Sequence, residues 1–203
     1  MKIIAVGMNY RAHIRELGDP MPQEPVIFMK PSSAILNNHG TFVIPEFSKE
    51  IHYEAELVVK ISRSGKSIGE QSASGYYNEI TVGIDFTARD MQRILRAKGN
   101  PWELCKAFDH SAALGEFVNT EHLKDRENIE FGLRINGKEV QHGFSSDMLF
   151  DFDKIIAYVS RFITLNEGDL IYTGTPSGIG PVSNGDLLEG YLQGTKVLDI
   201  LIQ

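Results

Sequence analysis

Apolar and polar residues in this chain alternate over short stretches more often than they repeat with a helical period. Residues 2–6 form a short apolar run that predicts a buried strand, and 26–29 and 41–44 are two more. Residues 51–61 alternate and are rich in β-branched side chains, which suit a pleated, packed surface. Residues 80–84 predict a buried strand that stops at Asp85. The stretch 129–135 alternates again; Asn136-Gly137 supplies the residues a two-residue hairpin turn favours, with its return at 138–141. Residues 169–172, 186–192 and 197–202 predict the terminal strands.

Helical spacing is confined to three places. Residues 10–17 predict a helical turn, stopped by Gly18 and by Pro20, Pro22 and Pro25. Residues 88–98 set Met91, Ile94 and Leu95 on one face, and 151–162 carry the strongest amphipathic pattern, with Phe152, Ile155, Ile156, Val159 and Phe162 on the apolar side. Strands outnumber helices and do not alternate regularly with them. The pattern predicts a β-rich α+β fold in one domain spanning 1–203, not a doubly wound sheet.

Composition narrows the partners. The 203 residues carry a formal net charge of -7, so there is no basic excess to neutralise nucleic-acid phosphates or an anionic membrane. An anionic small molecule remains compatible, because charge inside a cleft can oppose the global sign. Cys105 is the single cysteine and has no intramolecular partner, which suits a reducing compartment. No window is long and apolar enough to span a bilayer, and residues 1–7 do not have the length of a secretory signal, so a cytoplasmic location is expected.

The candidate chemistry begins with Glu54 and Glu56, which a strand's period of two sets on one face. Asp85, where an apolar run stops, is a third carboxylate. Three carboxylate oxygens suit a hard cation such as Mg²⁺ or Mn²⁺, which keeps further positions for water or substrate. The plain alternative is the solvated face of an edge strand. His13 and Glu16, three apart, meet on a helical turn, where the carboxylate orients the imidazole to accept a proton from water; the alternative is a surface ion pair. The glycine-rich turn at 173–181 carries no phosphate-loop or dinucleotide signature, but its N–H groups and the Thr175 hydroxyl suit a carboxylate. Arg89 and Lys106 are basic residues available to balance acids in a cleft. His52 is placed behind the site or at the surface, and Cys105 is expected to be a packed thiol.

In their joint order, several segments resemble the fumarylacetoacetate hydrolase family over nearly the whole chain. They are Gly7-Met8-Asn9-Tyr10 with His13 and Glu16; His52-Tyr53-Glu54-Ala55-Glu56-Leu57; Gly83-Ile84-Asp85-Phe86-Thr87-Ala88-Arg89-Asp90; Lys106; Asn136-Gly137; and Thr173-Gly174-Thr175-Pro176-Ser177-Gly178. The resemblance implies a rolled mixed β-sheet with a barrel-like core and few helices, a homodimer, and a Mg²⁺ or Mn²⁺ ion on Glu54, Glu56 and Asp85. It implies catalytic roles for His13 and Glu16, on a lid of about residues 8–25, and for Lys106. Arg89, Gln92 and Thr175 fall where members contact the oxo-acid end of the substrate.

The compact form resembles the acylpyruvate hydrolase and oxaloacetate decarboxylase branch. This implies carbon–carbon cleavage of a small 2-oxo acid through a metal-stabilised pyruvate enolate. The further N-terminal domain of fumarylacetoacetase is not found in these residues, which argues against that substrate. Relatives on the same scaffold isomerise or decarboxylate 2-hydroxy-dienedioates, one alternative; a non-catalytic dicarboxylate-binding protein and a structural Ca²⁺ site are others.

Overall fold

The structure, a computed structural model, describes residues 1–203. Its main feature is a mixed sheet of eight strands, in the order Val26–Lys30, Ile3–Gly7, Leu170–Tyr172, Ala55–Ile61, Tyr77–Asp85, Ala112–Leu114 and Ile35–Asn37, with Val118–Asn119 also against Tyr77–Asp85. Ile3–Gly7 runs parallel to Leu170–Tyr172 and Ile35–Asn37 parallel to Ala112–Leu114; the other pairings are antiparallel. A second sheet of five strands holds the Asn136-Gly137 hairpin, Glu130–Ile135 with Lys138–Phe144, followed by Leu187–Leu192, Thr195–Ile202 and Thr41–Phe42. The predicted β-rich α+β class is what forms, as a curled half-barrel.

Apolar side chains divide among the faces of this curl. Leu57, Val59 and Ile61 point to one side, where the helix Phe152–Phe162 covers them with Phe152, Ile155, Ile156 and Val159. Asp151 caps that helix by accepting from the Lys154 N–H at 2.9 Å. Ala55, Ile84 and Phe86 belong to a second cluster with Leu133, Leu198 and Ile200.

Three details differ from the sequence pattern. The run 51–61 is not one strand. It divides at Glu54 into Ile51–Tyr53, which pairs with Gly180–Pro181 and Thr87–Ala88 in a small third sheet, and Ala55–Ile61 in the large one. On the helix Arg89–Lys98 the buried residues are Arg89, Gln92 and Leu95, while Ile94 is 55% exposed. An apolar stripe misleads there because this helix turns polar residues inward. Phe162 and Val43 are also exposed, as single apolar side chains at element ends often are.

Asp169 ties the chain start to the sheet. It is buried and accepts from the Lys2 N–H at 2.7 Å and the Asn166 N–H at 2.8 Å, with Lys2 Nζ at 2.6 Å. Burial alone would raise its pKa, but these donors hold it below the ordinary value. A depressed folded pKa means the contribution is present above the unfolded value of about 3.9 and is lost as pH falls through the folded one. Asp169→Asn is therefore expected to cost about 1–3 kcal/mol at neutral pH, with the difference narrowing in acid. Urea unfolding at pH 7 and pH 3 checks this; equal midpoints at pH 7 would rule it out.

Candidate active site

Register brings the three acids together. Ala55 lies opposite Ile84 and Glu56 opposite Gly83, and the Asp85 N–H donates to the Glu54 carbonyl at 2.8 Å. Adjacent strands thus carry Glu54 beside Asp85, with Glu56 one pleat further on. All three are buried, and their carboxylate oxygens lie within 4.8 Å of one another.

Three buried cations surround them. Lys106 Nζ donates to Glu54 Oε2 and Asp85 Oδ2, both at 2.7 Å, and to Thr87 Oγ1 at 2.6 Å. Arg89 donates to Glu54 Oε1 and to Gln92 Oε1. Lys30, at the end of its strand, reaches from below. Its Nζ donates to the Ser111 carbonyl and hydroxyl, each at 3.0 Å, and to the Lys106 carbonyl.

Charge decides the ionisation states. Burial would raise the Glu54 carboxyl, but Lys106 and Arg89 outweigh it and hold Glu54 well below the usual range. Burial would lower Lys106, yet Asp85 and Glu54 raise it, so it is an ammonium at neutral pH. Glu56 is the opposite case. Burial, then Asp85 and Glu54, push it well above the ordinary value. Its one donor is the Gly174 N–H at 2.7 Å, and it has no ion pair, unlike Glu54 and Asp85.

Two features fit a divalent cation. Glu56 is buried without a counterion. Asp85 Oδ1 is a buried acceptor with no aligned hydrogen bond, although Lys30 Nζ stands 2.7 Å away. Hard oxygen donors with unsatisfied charge suit Mg²⁺ or Mn²⁺.

The segment carrying His13 closes over this floor. The helix Arg11–Leu17 buries His13, whose Nδ1 lies 3.1 Å from Glu16 Oε2 and whose ring lines the same cavity as Glu54, Glu56 and Asp85. The carboxylate fixes the tautomer, leaving Nε2 available. The turn after Tyr172 turns N–H groups toward carboxylates, but two of them serve the protein's own acids. The Gly174 N–H holds Glu56, and the Gly178 N–H holds Glu16 Oε1 at 3.1 Å. Both glycines need positive φ, 100° and 96°, and a Cβ would come within 2.8 Å of Asn9 or 2.5 Å of the Val140 carbonyl. Thr175 Oγ1 accepts from Gln141 Nε2 at 2.9 Å, which frees the Thr175 hydroxyl proton for the cavity it lines.

Residues 2–199 match the family described as "Fumarylacetoacetate (FAA) hydrolase C-terminal". The chain belongs to the fumarylacetoacetate hydrolase family. It is an enzyme of that family. Among its relatives, mitochondrial oxaloacetate decarboxylase of Dictyostelium discoideum is 41% identical, over 93% of this chain and 87% of that protein. Mitochondrial oxaloacetate tautomerase of Bos taurus is 38% identical, over 99% and 91%. The crystal structure of fumarylpyruvate hydrolase from Pseudomonas aeruginosa in complex with Mn²⁺ and pyruvate superposes with a TM-score of 0.91 at 32% identity, covering 100% of this chain and 90% of that one.

Within this fumarylacetoacetate hydrolase fold every residue singled out from the sequence stands in or beside one cavity: His13, Glu54, Glu56, Asp85, Arg89, Gln92, Lys106 and Thr175 line it, and Glu16 holds His13. His52 stands behind, accepting at Nδ1 from Arg89 Nε at 3.4 Å and contacting Glu50 through Nε2 at 3.1 Å. Burial and then Arg89 lower its pKa, so the ring stays neutral and can accept. Burial pushes the Cys105 thiol up to about 11, as a packed thiol requires.

Sequence reasoning missed Lys30 and Gln141. Lys30 gave a signal of the same kind as Asp85, a charge directly ending an apolar run. Gln141 gave none. Its importance comes from its carboxamide joining the Ala55 N–H, Thr175 and the Pro176 carbonyl across three segments.

Proposed function

We propose that this enzyme cleaves the carbon–carbon bond one carbon removed from the oxo group of small 2-oxo acids, by acylpyruvate hydrolysis, oxaloacetate decarboxylation, or both, with Mg²⁺ or Mn²⁺ bound. The observation that carries the proposal is the enclosure of an orientable imidazole and three convergent carboxylates in one cavity. Glu54, Glu56 and Asp85 would hold the ion, which supplies positive charge where electrons accumulate as the bond breaks.

The other steps belong to the chain. The free Thr175 hydroxyl donates to the substrate carboxylate, and Arg89, fixed by Gln92 and His52, faces the same end. With an acylpyruvate, His13 takes a proton from water as the water attacks the distal carbonyl; the carbon–carbon bond then opens and pyruvate leaves as its enolate. Lys106, held as an ammonium by two carboxylates, stabilises negative oxygen and does not serve as a base. Oxaloacetate needs no water: loss of CO₂ leaves the same enolate.

The cattle relative's name adds a reaction that the sequence reading did not include. Keto–enol exchange of oxaloacetate passes through a related enolate, that of oxaloacetate itself, with His13 removing or returning the proton at carbon. The reading includes a homodimer and a cytoplasmic location.

The test begins with chelator-stripped protein, to which Mg²⁺ or Mn²⁺ is returned. Pyruvate release from acetylpyruvate, fumarylpyruvate and oxaloacetate is followed, together with oxaloacetate keto–enol exchange. At least one reaction is expected to exceed the metal-only background and to vanish on stripping. Tight binding of dicarboxylates without turnover would favour the binding-protein alternative, and thermal stabilisation by Ca²⁺ alone would favour a structural ion.

A further inference from the structure

We propose that the ion pair between Asp19 and Arg96 is a latch that positions His13 over the three carboxylates; this rests on the activity proposed above. Asp19 follows the left-handed cap Gly18 (φ 70°), and its N–H closes back on the Ile14 carbonyl at 3.1 Å. Its carboxylate is therefore coupled rigidly to the helix that carries His13. Asp19 Oδ1 accepts from Arg96 Nη2 at 2.5 Å. Arg96 is the seventh residue after Arg89 on the helix Arg89–Lys98, on the same face and about 10 Å further along the axis. Asp19 and Arg96 both line the cavity.

Among the cations of this cavity, Arg89 and Lys106 are engaged with the carboxylates below. Arg96 is not: it holds the lid segment instead. The tether from the helix Arg11–Leu17 to the facing turn, Glu16 to the Gly178 N–H, uses the carboxylate that also orients His13. A slack segment would thus disturb the imidazole directly.

The latch is also built to release. Asp19 Oδ2 is buried with no hydrogen-bond partner, which penalises the closed arrangement. With the pair made, the cavity measures about 30 Å³. On this proposal Asp19 and Arg96 part as an oxo acid enters and rejoin over it. Both are positioning residues and touch no reacting atom.

Trp102 supplies a readout independent of activity, because it is the only tryptophan and lines this cavity. Acrylamide quenching of its fluorescence is measured in Asp19→Asn, Arg96→Gln and Arg96→Lys, alongside turnover. The first two variants are expected to raise the quenching constant about threefold, on the scale of losing one partly exposed ion pair. They should lower kcat for acylpyruvate hydrolysis about fivefold and leave oxaloacetate decarboxylation within about twofold, with Arg96→Lys close to wild type in every measure. Salt at 0.5 M should raise quenching in the wild type but not in Arg96→Gln, since it screens a pair that the variant does not have. Equal quenching in wild type and Arg96→Gln overturns the latch, as does no recovery in Arg96→Lys. If the wild type turns over no oxo acid, the proposed activity fails while the quenching still decides the latch.

Discussion

Glutamine at Glu56 is expected to abolish turnover while leaving the metal-free protein at least as stable as the wild type. The two effects have opposite signs for one reason. Glu56 is buried beside two other carboxylates and is the member without an ion pair. Without a cation its negative charge is unfavourable, and a neutral amide of the same shape removes that penalty while its oxygen still accepts from the Gly174 N–H. With a cation, the same substitution deletes one of three ligands. Loss of about 4 kcal/mol of charge stabilisation in the transition state corresponds to roughly a thousandfold in rate. Thermal unfolding of stripped protein, Mn²⁺ binding by electron paramagnetic resonance, and pyruvate release together form the test. Full activity of Glu56→Gln in chelator-treated buffer would end the metal reading. Glu54→Ala should also be inactive, but it leaves Arg89 and Lys106 facing an empty position and will lower stability as well.

Alanine at His13 is expected to separate two reactions that share a product. Hydrolysis of an acylpyruvate needs a water to lose a proton, so removing the base should cost about 10²–10⁴ in kcat. Decarboxylation of oxaloacetate loses CO₂ without that step and should stay within about threefold. Keto–enol exchange moves a proton at carbon and should follow hydrolysis. Glu16→Gln keeps the imidazole but weakens its orientation, and about a tenfold loss in hydrolysis is expected. An equal fall in hydrolysis and decarboxylation would show that His13 supports the cavity's shape and does not act on water.

Much of the site was legible because its chemistry sits at places where pattern breaks. Asp85 ends an apolar run, two acids recur with strand spacing, and His13 and Glu16 share a helical turn. The curl of the sheet was implied by the family resemblance and not by the residue pattern, since it depends on pairings between distant segments, such as Ile3–Gly7 with Leu170–Tyr172. Nor was the break at Glu54. The alternation of 51–61 is continuous through it, and only the competing partners on either side divide the strand. The helix Arg89–Lys98 shows the limit of amphipathic reasoning: Arg89 and Gln92 are buried by a polar cavity, which an apolar stripe cannot announce. Lys30 shows the converse, a lysine that is buried because Asp85 and the Ser111 hydroxyl await it.

Of the three carboxylates, Glu54 and Asp85 are paired with Lys106, Arg89 and Lys30, while burial and its acidic neighbours favour the uncharged form of Glu56. A divalent ion seated among them would add positive charge to a nest whose cations already match or outnumber its ionised acids. An anionic guest would offset that charge, so ion and guest would each strengthen the other's hold by the same factor.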